Sequence, residues 1–140
     1  MNFVLDASLT MAFVLADEAT VETDDILDRL GEEGQAFTPA LWRWEVGNVL
    51  LMAERRKRIT GADSNRHLST LEILPVEIDE NAPREAWSAA LLLARKHQLT
   101  LYDAAYLELA IRRGVALGSL DNDLRKAGKS EGVKLVPERM

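Results

Sequence analysis

Five short apolar runs, at residues 2–5, 36–39, 75–78, 115–120 and 133–136, set the frame for this chain. Each is too short for a helix, and each is parted from the next by residues whose apolar positions recur at helical spacing. Leu9, Ala12, Phe13 and Ala16 follow the first run at i, i+3, i+4 and i+7. Ile26, Leu27 and Leu30 form a second helical face, with Gly31 placed as its C-terminal stop. Pro39 opens a strongly patterned helix reaching Lys57, and Thr60-Gly61-Ala62-Asp63 reads as a capped start to a shorter one. The pattern predicts one long apolar helix over 83–97. Thr100 then caps a helix ending at Arg113-Gly114, and a short helix covers 121–127. Short apolar strands alternating with helices predict a parallel sheet of about five strands covered on both faces, a three-layer α/β/α arrangement. With no linker or repeat, residues 1–140 read as a single domain. In such sheets ligands bind beyond the carboxyl ends of the strands.

The chain has no cysteine, which excludes disulfides, thiolate metal sites and thiol nucleophiles. No apolar run is long enough to span a bilayer, and Met-Asn-Phe-Val-Leu-Asp is not the start of a secretory signal, so a soluble, cytoplasmic protein is expected. The net charge of −6 argues against a broad basic surface for nucleic acid. Any such role must rest on a local site, and an acidic surplus suits carboxylates offset by bound cations.

Of 23 acidic residues, four stand apart by context. Asp6 and Asp121 each end an apolar strand at the edge where ligands bind. Glu45 lies inside a helix among Leu41, Trp42, Val49 and Met52, on an apolar stripe. Asp103 sits in the first turn of its helix, above Tyr106, Leu107 and Ala110. A carboxylate on a buried face loses hydration, and several together repel one another unless something positive joins them. Oxygen donors without histidine or cysteine favour Mg²⁺ or Mn²⁺. Such an ion keeps coordination positions open for a phosphate oxygen and a water, which suits phosphodiester hydrolysis. Simpler roles exist for each residue. Asp6 and Asp121 can cap the helices that follow them, Asp103 stands at the third position of a capping box begun by Thr100, and Glu45 can pair with Arg43 or Arg112.

At these four places the chain resembles the PIN-domain family, and within it the VapC-type toxins of toxin–antitoxin pairs. The resemblance is carried by Val4-Leu5-Asp6-Ala7-Ser8, by Thr38-Pro39 through Leu50 around Glu45, by Leu99-Thr100-Leu101-Tyr102-Asp103, and by Leu117-Gly118-Ser119-Leu120-Asp121-Asn122-Asp123. It implies a metal-dependent endoribonuclease in which Asp6, Glu45, Asp103 and Asp121 are the catalytic carboxylates, with Asp6, Asp103 and Asp121 holding Mg²⁺ or Mn²⁺. Ser8, Asn48, Ser119 and Asp123 are then supporting neighbours. The implied reaction is metal-assisted hydrolysis leaving a 5′-phosphate and a 3′-hydroxyl. It also implies a homodimer and a cognate antitoxin that reaches the acidic site. Trp44, about 100° per residue round its helix from the apolar stripe, is expected outside the core.

Arg125 and Lys126, with Lys129, follow Asp121 closely and are the candidates for contacting RNA. Arg55-Arg56-Lys57-Arg58 suits the C-terminal end of its helix. A catalytically silent PIN-like module that only binds protein or RNA is the alternative, and it predicts loss of an acidic motif residue; none is lost. A small-phosphoester hydrolase with Asp-x-Asp at its nucleophile is disfavoured, because Ala7-Ser8 follows Asp6.

Overall fold

The computed structural model describes all residues 1–140. Its strands are β1 (Asn2–Leu5), β2 (Gln35–Pro39), β3 (Val76–Asp79), β4 (Ala116–Gly118) and β5 (Leu135–Val136). The helices are α1 (Ala7–Val14), α2 (Val21–Glu33), α3 (Leu41–Arg55), α4 (Gly61–Glu72), α5 (Ala82–Glu85), α6 (Ala89–His97), α7 (Leu101–Arg113) and α8 (Asn122–Ser130). The strands form one wholly parallel sheet in the order β3-β2-β1-β4-β5, as the alternation of runs predicts. The chain steps from β1 outward to β2 and β3, then returns past β1 to β4 and β5. Right-handed crossovers in the two directions put α1–α4 on one face and α5–α8 on the other. The contacts agree, with α1 against α2 and α3, and α7 against α6 and α8. No helix is long and apolar enough to cross a membrane.

Phe3, Val4, Leu5, Leu9, Leu107 and Leu117 are fully buried around the central strands. Gly118 is required there, because an added Cβ would lie within 3 Å of Phe3, Leu9 and the Val4 carbonyl. Three helix boundaries and one buried face differ from the sequence pattern. Helix α1 stops at Val14, leaving Ala16 exposed in a turn. Helix α2 runs through Gly31, which has open space around it, and ends at Gly34. The helix expected over 83–97 is broken at Ala86-Trp87-Ser88. Trp87 is 90% exposed, so it adds no packing that would hold this segment helical, and it and Ser88 are weaker helix formers than alanine. The buried stripe of α3 is Trp42, Val46, Leu50 and Ala53, which leaves Val49 exposed and Glu45 at the stripe's edge.

Each helix that follows a strand starts at the carboxyl edge of the sheet, and α7, which leads into β4, starts there too. The N-terminal turns of α1, α3, α7 and α8 therefore share one edge, with their positive dipole ends toward it. The far end of α7 is fixed by a buried ionic network. Arg112 forks onto Asp79 at the end of β3 (3.1 and 2.7 Å) and onto Glu108 (2.7 and 2.9 Å), and Arg113 also reaches Asp79 at 3.1 Å. These guanidinium groups hold the Asp79 carboxyl below its usual range.

Removing one partner strands the others. Arg112→Met is expected to lower stability by about 3 kcal/mol in urea denaturation, by leaving buried Asp79 and Glu108 short of a cation. An unchanged midpoint would show that the network carries no weight.

Candidate active site

The chain reverses its direction of travel through the sheet at β1 and β4. The crevice beyond their carboxyl ends is the switch point where parallel sheets bind ligands. Asp6 follows β1 directly and is only 5% exposed. It caps α1 by accepting from the Leu9 N–H (2.9 Å), so the capping role is real. Two hydroxyls add to it: Ser8 donates to the Asp6 carboxylate (2.7 Å) and Ser119, from the end of β4, donates to Asp6 Oδ2. Ser8 Oγ in turn accepts from the Leu120 N–H (2.9 Å), and Ser119 Oγ from the Asp121 N–H (3.0 Å). The two serines thus sew the ends of β1 and β4 together around one carboxylate.

The backbone of Asp6 is tied separately. Thr10 Oγ1 donates to the Asp6 carbonyl (2.6 Å) and accepts from Trp42 Nε1 (2.9 Å), which joins α1 to α3. Three residues on from Trp42, Glu45 is half-buried, and the buried Tyr106 hydroxyl donates to its Oε1 at 2.6 Å. Its partner is therefore a tyrosine of α7 and neither expected arginine: Arg43 pairs with Glu72 (2.6 Å), and Arg112 belongs to the Asp79 network.

Asp103 is half-buried in the first turn of α7. Thr100 Oγ1 accepts from the Asp103 N–H at 3.1 Å, but the Asp103 carboxylate does not return a bond to the Thr100 backbone. In α4 the same box is complete, with Asp63 accepting from the Thr60 N–H at 2.9 Å. The contrast separates the two acids: the Asp63 carboxyl is lowered by its cap bonds, whereas that of Asp103 is raised by burial and by the charge of Asp121. Asp121 is exposed and caps α8 through the Leu124 N–H (2.8 Å). It lies three residues past the end of β4 rather than within the strand.

The electrostatics agree with this grouping. Burial pushes the Asp6 carboxyl up to about 6 despite its hydrogen bonds, and Asp103 adds to the rise. Burial also raises Glu45, again with a contribution from Asp103. Asp103 thus repels or is repelled by each of the other three. None of the ten ion pairs in the chain involves any of the four carboxylates. A buried acidic group without a cation is the environment a divalent ion relieves, and the donors are hard oxygens. No three acidic side chains converge closely enough to enclose an ion by themselves. An ion that keeps most of its waters, as Mg²⁺ does, needs only one or two direct carboxylates and fits this more open arrangement.

Among the supporting residues, Ser8 and Ser119 bond Asp6 directly. Asp123 is exposed in the first turn of α8, and its charge raises Asp103. Asn48 is exposed on α3 and makes no side-chain hydrogen bond. Arg125 departs from expectation: it is 8% exposed and donates to the carbonyls of Ser119 (3.0 Å) and Glu138 (3.4 Å), so it braces the end of β4. Lys126 is exposed beside it. Thr10, Trp42 and Tyr106 are site-positioning residues that spacing alone did not single out. The polar Thr10 inside the apolar face of α1 was the available clue.

Residues 3–130 match the PIN domain model, so the chain belongs to the PIN-domain family. It is 30% identical to ribonuclease VapC3 of Pyrobaculum aerophilum over 124 residues, covering 89% of this chain and 92% of the relative. Three solved structures share the fold. The protein PAE2754 of Pyrobaculum aerophilum matches with a TM-score of 0.70 at 24% identity, over 98% of this chain and 90% of its own. The VapBC2 assembly of Rickettsia felis, bound to a DNA fragment from its promoter, matches with a TM-score of 0.65 at 11% identity, over 96% and 97%. VapC20 of Mycobacterium tuberculosis, a toxin that cleaves the sarcin-ricin loop, matches with a TM-score of 0.65 at 16% identity, over 91% and 95%.

A raised carboxyl means that the charged form opposes folding when no cation is present. Between the usual carboxyl value and about 6 the folded state binds more protons than the unfolded chain, so stability falls as pH rises through that window. In chelator near pH ~8, Asp6→Asn is therefore expected to stabilise the protein by up to about 3 kcal/mol, from a shift of roughly two units. The gain should fade as the pH is lowered toward ~4. A urea midpoint that drops at both pH values would mean that Asp6 acts only as a cap.

Proposed function

We propose that this chain is a metal-dependent endoribonuclease and the toxin of a toxin–antitoxin pair. The observation that carries the reading is the buried, cation-free Asp6 at the switch point, with Asp103, Asp121 and Glu45 around it. Membership of the PIN-domain family and the likeness to ribonuclease VapC3 support it. One or two of Asp6, Asp103 and Asp121 would hold Mg²⁺ directly and the rest through its waters, and Mn²⁺ suits the same oxygens. When bound, that ion supplies a lowered pKa to water and neutralises charge developing on the phosphate.

The protein's own contribution is positioning. Ser8 and Ser119 each commit a hydroxyl proton to Asp6 and so keep its oxygens aimed into the crevice. Thr10 and Trp42 hold the Asp6 backbone against α3. The Tyr106 bond holds Glu45 on the crevice side of α3, where its carboxylate can take a proton from an attacking water. Exposed Asp121 is free to turn toward a ligand while its second oxygen caps α8. The supporting residues Asn48 and Asp123 are exposed and would be available to a substrate.

A cognate antitoxin protein belongs to the reading by likeness to the VapBC2 assembly, and a homodimer in the cytoplasm is part of it through the resemblance to VapC-type toxins alone. Exposed Trp44, 82% accessible beside Glu45, is placed to meet such a partner.

Incubating total RNA with the protein should give metal-dependent cuts at few sites with Mg²⁺ or Mn²⁺ and none in chelator. Asp6→Asn and Asp103→Asn should each reduce the rate at least about a hundredfold while leaving the fold intact. Cleavage that survives chelator and both substitutions would overturn the site. An intact protein that binds RNA or an antitoxin but never cleaves would favour a silent module.

A further inference from the structure

The chain carries net negative charge, yet one large groove on it is basic. It runs beside α8 and β5, at the edge of the sheet, with a volume of about 1290 Å³. That exceeds the roughly 300–1,000 Å³ of small-molecule pockets and suits a length of polymer. Arg29, Arg125, Lys126, Lys129, Lys134 and Arg139 line it, against three acidic side chains, Glu22, Asp25 and Glu138. Six of the 17 basic residues but only three of the 23 acidic ones therefore face this groove.

Two further observations point to an anionic ligand. Lys126, Lys129, Lys134 and Arg139 take no part in any ion pair, so their charges are unspent. Arg125 is more than nine-tenths buried and has only backbone carbonyls as partners, at Ser119 and Glu138. A buried guanidinium without a counter-charge is costly unless an anion approaches it. Its position is fixed by the same Ser119 whose hydroxyl bonds Asp6. Helix α8 links the groove to the crevice: it begins at its cap Asp121 and carries Lys126 and Lys129 away from it over nine residues, about 13 Å.

We propose that this groove is a phosphate-binding track that holds the sugar–phosphate backbone of the RNA substrate away from the cleaved bond. The track explains how an acidic protein grips a polyanion, with the carboxylates confined to the crevice and the cations to the flank. It rests on the ribonuclease reading and extends it to residues outside the motifs.

The test compares the protein with a Lys126→Ala/Lys129→Ala/Lys134→Ala variant, three exposed positions whose truncation leaves the core untouched. Binding of a fluorescein-labelled oligouridylate is followed by anisotropy over a salt series, both proteins carrying Asp103→Asn to prevent cleavage. Neutralising three phosphate contacts is expected to flatten the plot of log affinity against log salt by about two, at roughly 0.7 per phosphate for single strands, and to weaken binding about tenfold or more near ~0.1 M salt. An unchanged slope and affinity overturns the track, leaving the groove to an acidic polypeptide instead. Total RNA cleavage by the two proteins with Asp103 intact separates the claims. If the unmodified protein cleaves but the oligonucleotide result is negative, the nuclease stands and the track falls. If it cleaves nothing with either metal, both fall.

Discussion

A single carboxylate, that of Asp6, is held dry at the junction of β1 and β4, and most of the local architecture is arranged around it. Burial opposes its charge, and the chain answers with hydrogen bonds rather than with a cation. Three donors converge on it: the Leu9 N–H, the Ser8 hydroxyl and the Ser119 hydroxyl. The bonds fix the group without neutralising it, which is why its carboxyl stays raised to about 6. Gly118 lets β4 come close enough for Ser119 to reach it. A lysine or arginine at this junction would stabilise the fold and fill the place where an ion could sit.

The treatment of Asp79 makes the distinction physical. It too is an acid at the carboxyl end of a strand, and it is even more deeply buried, at 1% exposure. Arg112 and Arg113 neutralise it, and its carboxyl is lowered where that of Asp6 is raised. One end of α7 is thus ionically closed, while the other presents Asp103 and Tyr106 to the crevice without a cation. Burial alone does not mark a site here; burial without compensation does.

Much of this was legible in the sequence. The apolar runs were short enough to be strands, and a parallel sheet predicted that its carboxyl edge, where Asp6 and Asp121 fall, was the one that mattered. The capping spacings at Thr60 and Thr100 predicted two helix starts, and the exposed Trp44 followed from its angle on α3. Other features depend on contacts between residues far apart in the chain. Thr100–Asp103 and Thr60–Asp63 look alike as strings, and only the returned hydrogen bond tells the structural acid from the free one. The arginine proximity that suggested a partner for Glu45 misled, because Tyr106 lies 61 residues away and no local spacing reveals it. Arg125, similarly, reads as a surface cation beside Lys126, yet it falls on the buried side of α8.

The central claim is that the uncompensated carboxylates at the switch point are completed by a divalent ion. The most direct measurement is a crystal of the protein soaked in Mn²⁺, with anomalous scattering used to locate the ion. The account predicts a peak in the crevice beyond β1 and β4, in contact with Asp6 or Asp103 and otherwise coordinated largely by water. A crevice with no peak at saturating Mn²⁺, or an ion found only elsewhere on the surface, would contradict it.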